Sequence, residues 1–355
     1  MRPLRAPLLI ALLAVAPVQA QATVHVLLPE PMAAEAAQIL QEALGQDAVV
    51  RPVAWDRLAE AGPGVLFGAD EYQLWQCLQA QALSQVRDLA KDLPRGCRDL
   101  GERWVLPWTL RYELAYAVEV FGETPPRTWE DLALAHEMHD RLGLCPPRVD
   151  PTPWLAAMEE SLLGGNGQKA GFALWTTLDA RVPGYAEDYG ELQEGLANGA
   201  LVAAVMPRPI ASQLRQRLAS EGGRQLRGSG LGLGTPVARI GLAVQGALDP
   251  ETEALLRLLA AEPLRTDLAG KMGLEVAVSG GAGVGRAELD GPAVDRWLQH
   301  FETEVEGKGR GVEAIADALD LAFTLLFFGG IFGIWLYYRR NGKDPAGAEE
   351  PSRST

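Results

Sequence analysis

The chain has 355 residues, 48% hydrophobic and 22% charged, a globular composition with length enough for two ordinary domains. A formal net charge of −14 argues against nucleic acid as a partner, because phosphate binding needs clustered Lys and Arg.

The first element is a leader. Arg2 and Arg5 precede an apolar run over 8–18, and Val18-Gln19-Ala20 places small residues where a signal peptidase reads. This layout predicts a secretory signal peptide over 1–20; the run is well short of the ~20 residues a membrane span needs. Residues 24–28 (VHVLL) then read as a strand. Pro31 can open a helix at its first turn, and 32–44 carry apolar residues at helical spacing. Strands follow at 49–53 and 65–67, and Asp70 can cap a helix through Trp75 to Ala82. This alternation predicts a parallel sheet covered by helices.

Residues 104–120 (WVLPWTLRYELAYAVEV) form a long strand-like run. Pro125-Pro126 breaks the chain before a helix at 129–134 capped by Thr128, and 142–145 read as a strand. Helices are expected at 153–163 with Thr152 as cap, at 169–178 and at 189–197, then a strand at 200–206. Residues 222–234 are rich in Gly and Arg and read as a loop. A strand at 237–244 (VARIGLAV) precedes helices at 249–260, 264–269 and 291–301, with a flexible stretch at 280–285.

The chain closes on a second sharp signal. Residues 321–338 (LAFTLLFFGGIFGIWLYY) hold no charge, and Arg339, Arg340 and Lys343 come directly after. At ~1.5 Å per residue the run spans about 27 Å, near the roughly 30 Å of a hydrocarbon core. Trp335, Tyr337 and Tyr338 sit where amphipathic rings favour the interface, and the basic cluster holds that side in the cytoplasm. A transmembrane helix is therefore expected over 319–338, with a linker at 305–318 and a cytoplasmic tail at 339–355. Gly329 and Gly333 have the spacing that lets two such helices approach, so a dimer contact is expected there.

Three cysteines face an oxidising compartment. Cys77 and Cys97 fall in one expected lobe and either pair, leaving Cys145 alone, or all three are separate buried thiols. Catalytic motifs are missing. His136 and His139 lack the spacing of a zinc-protease helix, no GxSxG elbow occurs, and neither Gly-rich run separates a strand from a helix. No enzyme activity, cofactor or metal site is expected.

Several stretches in order carry a resemblance: GVLFGADEYQLWQCLQAQAL (64–83), the 104–120 strand with PPRTWEDLA after it, LQEGLANGALVAAVM (192–206) and TPVARIGLAVQGALDPETEALLRLLAAEP (235–263). Together they resemble the type 2 periplasmic solute-binding proteins, nearest the group of ferric-iron and thiamine receptors. The resemblance implies an α/β, two-lobed type 2 periplasmic binding protein fold, here followed by one C-terminal transmembrane helix. Lobe 1 would be 23–109 plus 237–304 and lobe 2 would be 110–236. It also implies a receptor that closes by hinge motion on a small-molecule ligand and delivers it to an ABC permease or other membrane partner. The alternative is an interaction or sensory subunit that keeps the fold and has lost the pocket. Iron-binding relatives carry adjacent tyrosines after the strand matching 200–206; here Pro207-Arg208-Pro209 stands there, so ferric iron is not implied.

Ligands of open α/β sheets sit beyond the C-terminal strand ends, near helix N-termini. That position selects Pro31, Ala69, Asp70, Trp108, Thr109, Arg111, Thr152, Trp154 and Arg208 as candidate ligand-binding residues. Several have a structural counterpart: Asp70 and Thr152 as helix caps, Trp108 as hinge packing, Arg111 as a partner of Glu113 or Glu119.

Overall fold

A computed structural model of the chain describes residues 21–46, 48–89, 93, 97, 99, 101–232, 237–277, 291–308 and, within 323–337, residues 323, 326–328, 330–332, 334, 335 and 337. The expected signal peptide, the stretch at 280–285, the tail at 339–355, and Gly329 and Gly333 with their dimer contact lie outside the described residues.

The elements in chain order are β1 (Ala22–Val26), α1 (Met32–Leu44), β2 (Ala48–Pro52), α2 (Leu58–Ala61), β3 (Gly64–Asp70), α3 (Glu71–Gln79), β4 (Trp104–Ala117), α4 (Val118–Phe121), α5 (Trp129–Leu134) and β5 (Leu142–Gly143). They continue with α6 (Thr152–Leu163), α7 (Gly167–Arg181), α8 (Tyr189–Asn198), β6 (Ala203–Pro207), α9 (Arg208–Ser220), β7 (Leu226–Ser229), β8 (Val237–Gln245), α10 (Pro250–Ala260), α11 (Glu262–Met272), β9 (Glu275–Val276) and α12 (Gly291–His300), with a π-helical turn over Phe301–Val305.

The chain divides into two compact units. Unit 1 takes the residues up to Arg111, then Pro207–Gln213 and Val237–Gly291; unit 2 takes Tyr112–Met206, Leu214–Pro236 and the residues from Pro292 on. Residues 292–304, expected in lobe 1, thus pack with unit 2, where Phe301 and Val305 are buried.

In unit 1 the strand order is β2-β1-β3-β8-β4. β1 runs parallel to β2 and β3, whereas β8 is antiparallel to β3 and β4 is antiparallel to β8. The expected parallel sheet therefore covers only β1 to β3. Val24, Val26, Val65, Leu66 and Phe67 are all fully buried, which is why these strands read as short apolar runs rather than as alternation. α1 covers the sheet with Met32, Ala33, Ala36, Ala37, Leu40 and Leu44, one helical stripe. Between Phe67 and Ala69 the register of β3 against β8 shifts. Gly68 sits there at φ +89, and a Cβ would stand 2.8 Å from Leu28 Cγ, so only glycine fits. A second shift falls between Val105 and Trp108, around Pro107, which has no amide to give the ladder.

In unit 2 the second half of β4 pairs antiparallel with β7, and β5 pairs parallel with β6. The core is aromatic. Trp154 packs on Trp175 (6.1 Å between centroids), Tyr185 (5.9 Å) and Phe301 (4.5 Å), and Trp175 on Phe301 (5.8 Å). The residues after Phe301 are held as well. Val305 is buried, Glu306 pairs with Arg148 at 3.0 Å, and the Gly307 amide donates to Asp179 Oδ1 at 3.1 Å. Residues 305–307, the first of the expected linker, are thus held in unit 2.

α9, β7 and β9 carry no signal that the sequence reading picks up; β7 lies inside the Gly- and Arg-rich stretch read as a loop. Its Leu226 is buried while Arg227 and Gly228 are exposed, an edge strand held by its pairing rather than by an apolar pattern.

No helix among the described residues is long and apolar enough to cross a membrane. The described residues of 323–337 are helical, and their large apolar side chains are exposed: Leu326 73%, Phe323 68% and, at the low end, Ile331 and Trp335 50%.

Candidate functional site

The C-terminal ends of β1 and β3 lie side by side, tied by the Leu27 amide to the Phe67 carbonyl at 2.8 Å. Helices α1 and α3 start immediately beyond. Asp70 closes a full capping box with Gln73 at the start of α3, so its carboxylate is engaged by a backbone amide. Ala69 is fully buried beside it, and Pro31, exposed, stands just before α1. In register, Asp70 and Trp108 flank Ile240 of β8 from either side.

One step along the sheet, Arg239, Thr109 and Glu275 stand in register on β8, β4 and β9. Paired residues share a sheet face, and Arg111, two residues on from Thr109, shares it too. Arg111 Nε meets Glu275 Oε1 at 2.7 Å, and Arg239 meets Glu71, the first residue of α3, at 3.6 Å. A polar row Glu71–Arg239–Thr109–Glu275–Arg111 therefore crosses the end of the unit 1 sheet, with signs alternating around a hydroxyl. The Arg111 pair is open to water, its side chains 39% and 44% exposed; the Arg239 pair is more covered, at 21% and 18%. Glu113 and Glu119, the partners the sequence offers for Arg111, are taken by Arg215 and Arg224.

Trp108 is fully buried on the other face, with Phe67 at 4.9 Å and its Nε1 donating to the Arg265 carbonyl at 3.0 Å. Arg208 is exposed as the first residue of α9.

Unit 2 carries a buried polar cluster. Asp150, 5% exposed, accepts the Tyr112 hydroxyl at 2.6 Å and the Tyr189 hydroxyl on Oδ2, and the Thr152 amide at 2.8 Å on Oδ1. Burial, reinforced by the Asp150 charge, pushes the Tyr189 phenol well above its ordinary range, so that hydroxyl stays protonated and donates. Thr152 is the first residue of α6 rather than its cap, which is Pro151; the Asp150 side chain takes up a first-turn amide instead. The helix terminus that would face a ligand anion is thus already met by the chain's own carboxylate. Trp154 is buried at 1%, its Nε1 donating to the Cys145 carbonyl at 2.8 Å.

The structure thus brings Ala69, Asp70, Trp108, Thr109 and Arg111 together in unit 1, and Thr152 and Trp154 together in unit 2. Sequence reasoning misses Arg239, Glu275, Glu71 and Asp150. Arg239 has a signal, as the one charge inside the apolar run VARIGLAV; Glu275 has none, since a two-residue strand carries no pattern. Among the described residues no group of three or more His, Cys, Asp or Glu is placed to hold a metal ion.

No family model and no curated protein matches the chain. Solved structures do. Iron-bound HitA from Pseudomonas aeruginosa aligns with a TM-score of 0.60 at 16% identity, over 78% of this chain and 98% of that one. AfuA from Actinobacillus pleuropneumoniae, a periplasmic binding protein with fructose-6-phosphate bound, aligns at 0.57 and 15%, over 72% and 85%. An ABC transporter protein from Clostridium perfringens aligns at 0.57 and 11%, over 80% and 99%. The fold of this chain is that of the type 2 periplasmic solute-binding proteins, with the ferric-iron group among its structural neighbours.

Proposed function

We propose that the chain is an extracytoplasmic solute-binding receptor, held at the membrane by its C-terminal helix, that delivers a small ligand to an ABC importer by hinge closure. The fold carries the solute-binding part of this reading. The polar row at the end of the unit 1 sheet supports it, because it offers both signs of charge and a hydroxyl at the strand ends where open α/β sheets bind ligands. Thr109 and Arg111 are then ligand contacts, with Arg239 and Glu275 beside them. Pro31, Ala69 and Asp70 shape the rim, and Arg208 stands at the start of α9. Trp108 braces the unit 1 sheet behind them, and Thr152 and Trp154 belong to the packing of unit 2, since these residues are buried, with exposures of 0, 2 and 1%.

The exposed apolar residues of 323–337 support the anchor. At about 100° per residue they spread over more than half the helix circumference. Such a helix has no one-sided stripe to bury against a domain, and hydrocarbon is the solvent that suits it.

A second reading, an interaction or sensory subunit without a ligand, is favoured by one observation. The charged groups of the polar row in unit 1 are already engaged within the chain, Arg111 with Glu275 and Arg239 with Glu71, and within unit 2 Asp150 is engaged by two tyrosines.

Thermal unfolding of the full chain in detergent, with a panel of amino acids, polyamines, phosphonates, sugars and metal ions, separates the two. A receptor gives a ligand that raises the melting point, and Arg111→Ala abolishes that rise while changing ligand-free stability by less than about 1 kcal/mol, as expected for an exposed pair. A folded protein that responds to nothing in the panel supports the interaction subunit.

A further inference from the structure

We propose that Cys77 and Cys97 are a disulfide-forming pair that closes a loop within unit 1 under oxidising conditions. Cys77, 6% exposed, lies in the apolar cluster formed by Leu27, Leu66, Leu74, Trp104 and Leu106. Cys97, half-buried, packs against that same cluster. All three cysteines are thiols in the structure. The third, Cys145, belongs to unit 2, where it is 2% exposed and burial, then the Asp150 charge, pushes its thiol far above the ordinary range. The chain therefore holds two thiols that border one cluster and a third sheltered from both. The sequence alone leaves pairing and separate thiols open; the shared cluster is the observation that favours pairing. The inference stands whether unit 1 binds a solute or a protein partner.

The two thiols play different parts. Burial pushes the Cys77 thiol up to about 11, so at neutral pH it is protonated and slow to attack. Cys97, nearer the surface, meets an external disulfide first. Its thiolate attacks one sulfur of that disulfide and expels the other as a thiolate, leaving a mixed disulfide on Cys97. Cys77 then gives its proton to solvent, attacks the Cys97 sulfur and expels the second external thiol. Two protein thiols lose two electrons and two protons, and one external disulfide, of a protein oxidant or of glutathione, becomes two thiols. The bridge ties the segment after α3 back to the helix.

The test uses the full chain in detergent, reduced, folded and then equilibrated with glutathione disulfide. The product is denatured, alkylated and mapped by peptide mass. It is expected to carry one alkyl group, on Cys145, to be about 2 Da lighter than the reduced chain before alkylation, and to yield a Cys77–Cys97 linked peptide. Cys145→Ser forms the same bridge. The oxidised protein melts roughly 5–10 °C above the reduced one, and Cys97→Ala, which changes a half-buried residue, folds but loses that difference. Three alkylatable thiols in the folded, oxidant-treated chain would overturn the proposal, as would a bridge through Cys145.

Discussion

At the scale of single residues, two buried polar groups make sharp predictions. His25 is fully buried in the middle of β1; its Nε2 lies 3.1 Å from the Gly62 carbonyl, and its Nδ1 has no hydrogen-bond partner. Burial, aided by the Arg51 charge and opposed by the Pro63 and Gly62 carbonyls, holds its basicity below the ordinary value of 6.5. The unfolded chain therefore binds this proton more readily than the folded one, so stability is full above about pH 6.5 and falls as pH drops below it. Thermal melts between pH 7.5 and 5 should show a decline that is reduced in His25→Gln; an unchanged decline in the variant would assign it to other groups. Asp150 is the second case. Its carboxylate accepts from Tyr112, Tyr189 and Thr152, and an amide at that site cannot accept all three while turning its N–H away. Asp150→Asn should cost about 2–3 kcal/mol in urea unfolding, read through the tryptophans of unit 2. A cost under 0.5 kcal/mol, at or below the low end for one ordinary hydrogen bond of ~1 kcal/mol, would mean that the cluster does not brace unit 2.

At the scale of elements, the aromatic cage around Phe301 fixes the chain beyond it. Phe301→Ala should destabilise unit 2 by about 3–5 kcal/mol and open the chain after His300 to protease, while Glu306→Ala should do neither. Elements with a local signature are legible in the sequence. α1 lies at 32–44, α5 at 129–134 behind its Thr128 capping box, and β4 starts at 104, all where the residues place them, because capping residues and periodic apolar positions are properties of short stretches. β7 and β9 are not legible, since each owes its conformation to a partner strand far away in sequence. α9 is not picked up either, although Pro209 occupies its first turn, where the missing amide costs nothing. The candidate site divides the same way. Thr109 and Arg111 are reachable from their place on a long strand, but their neighbours Arg239 and Glu275 arrive from far downstream, and only the sheet register shows them as neighbours.

At the scale of the whole molecule, removing residues 319–355 should convert the protein from one that partitions into detergent or membrane fractions to one that stays in the aqueous phase, with the melting of units 1 and 2 unchanged. Retention in the membrane fraction would place the attachment elsewhere. For an anchored chain, the hold on residues 301–308 has a consequence for how quickly a partner in the same membrane is met. The eight residues 301–308 held to unit 2 take up to about 29 Å off the reach of such a chain, at ~3.6 Å per residue. The volume swept goes as the cube of reach, so the pinned segment raises the local concentration of the anchored protein at the bilayer.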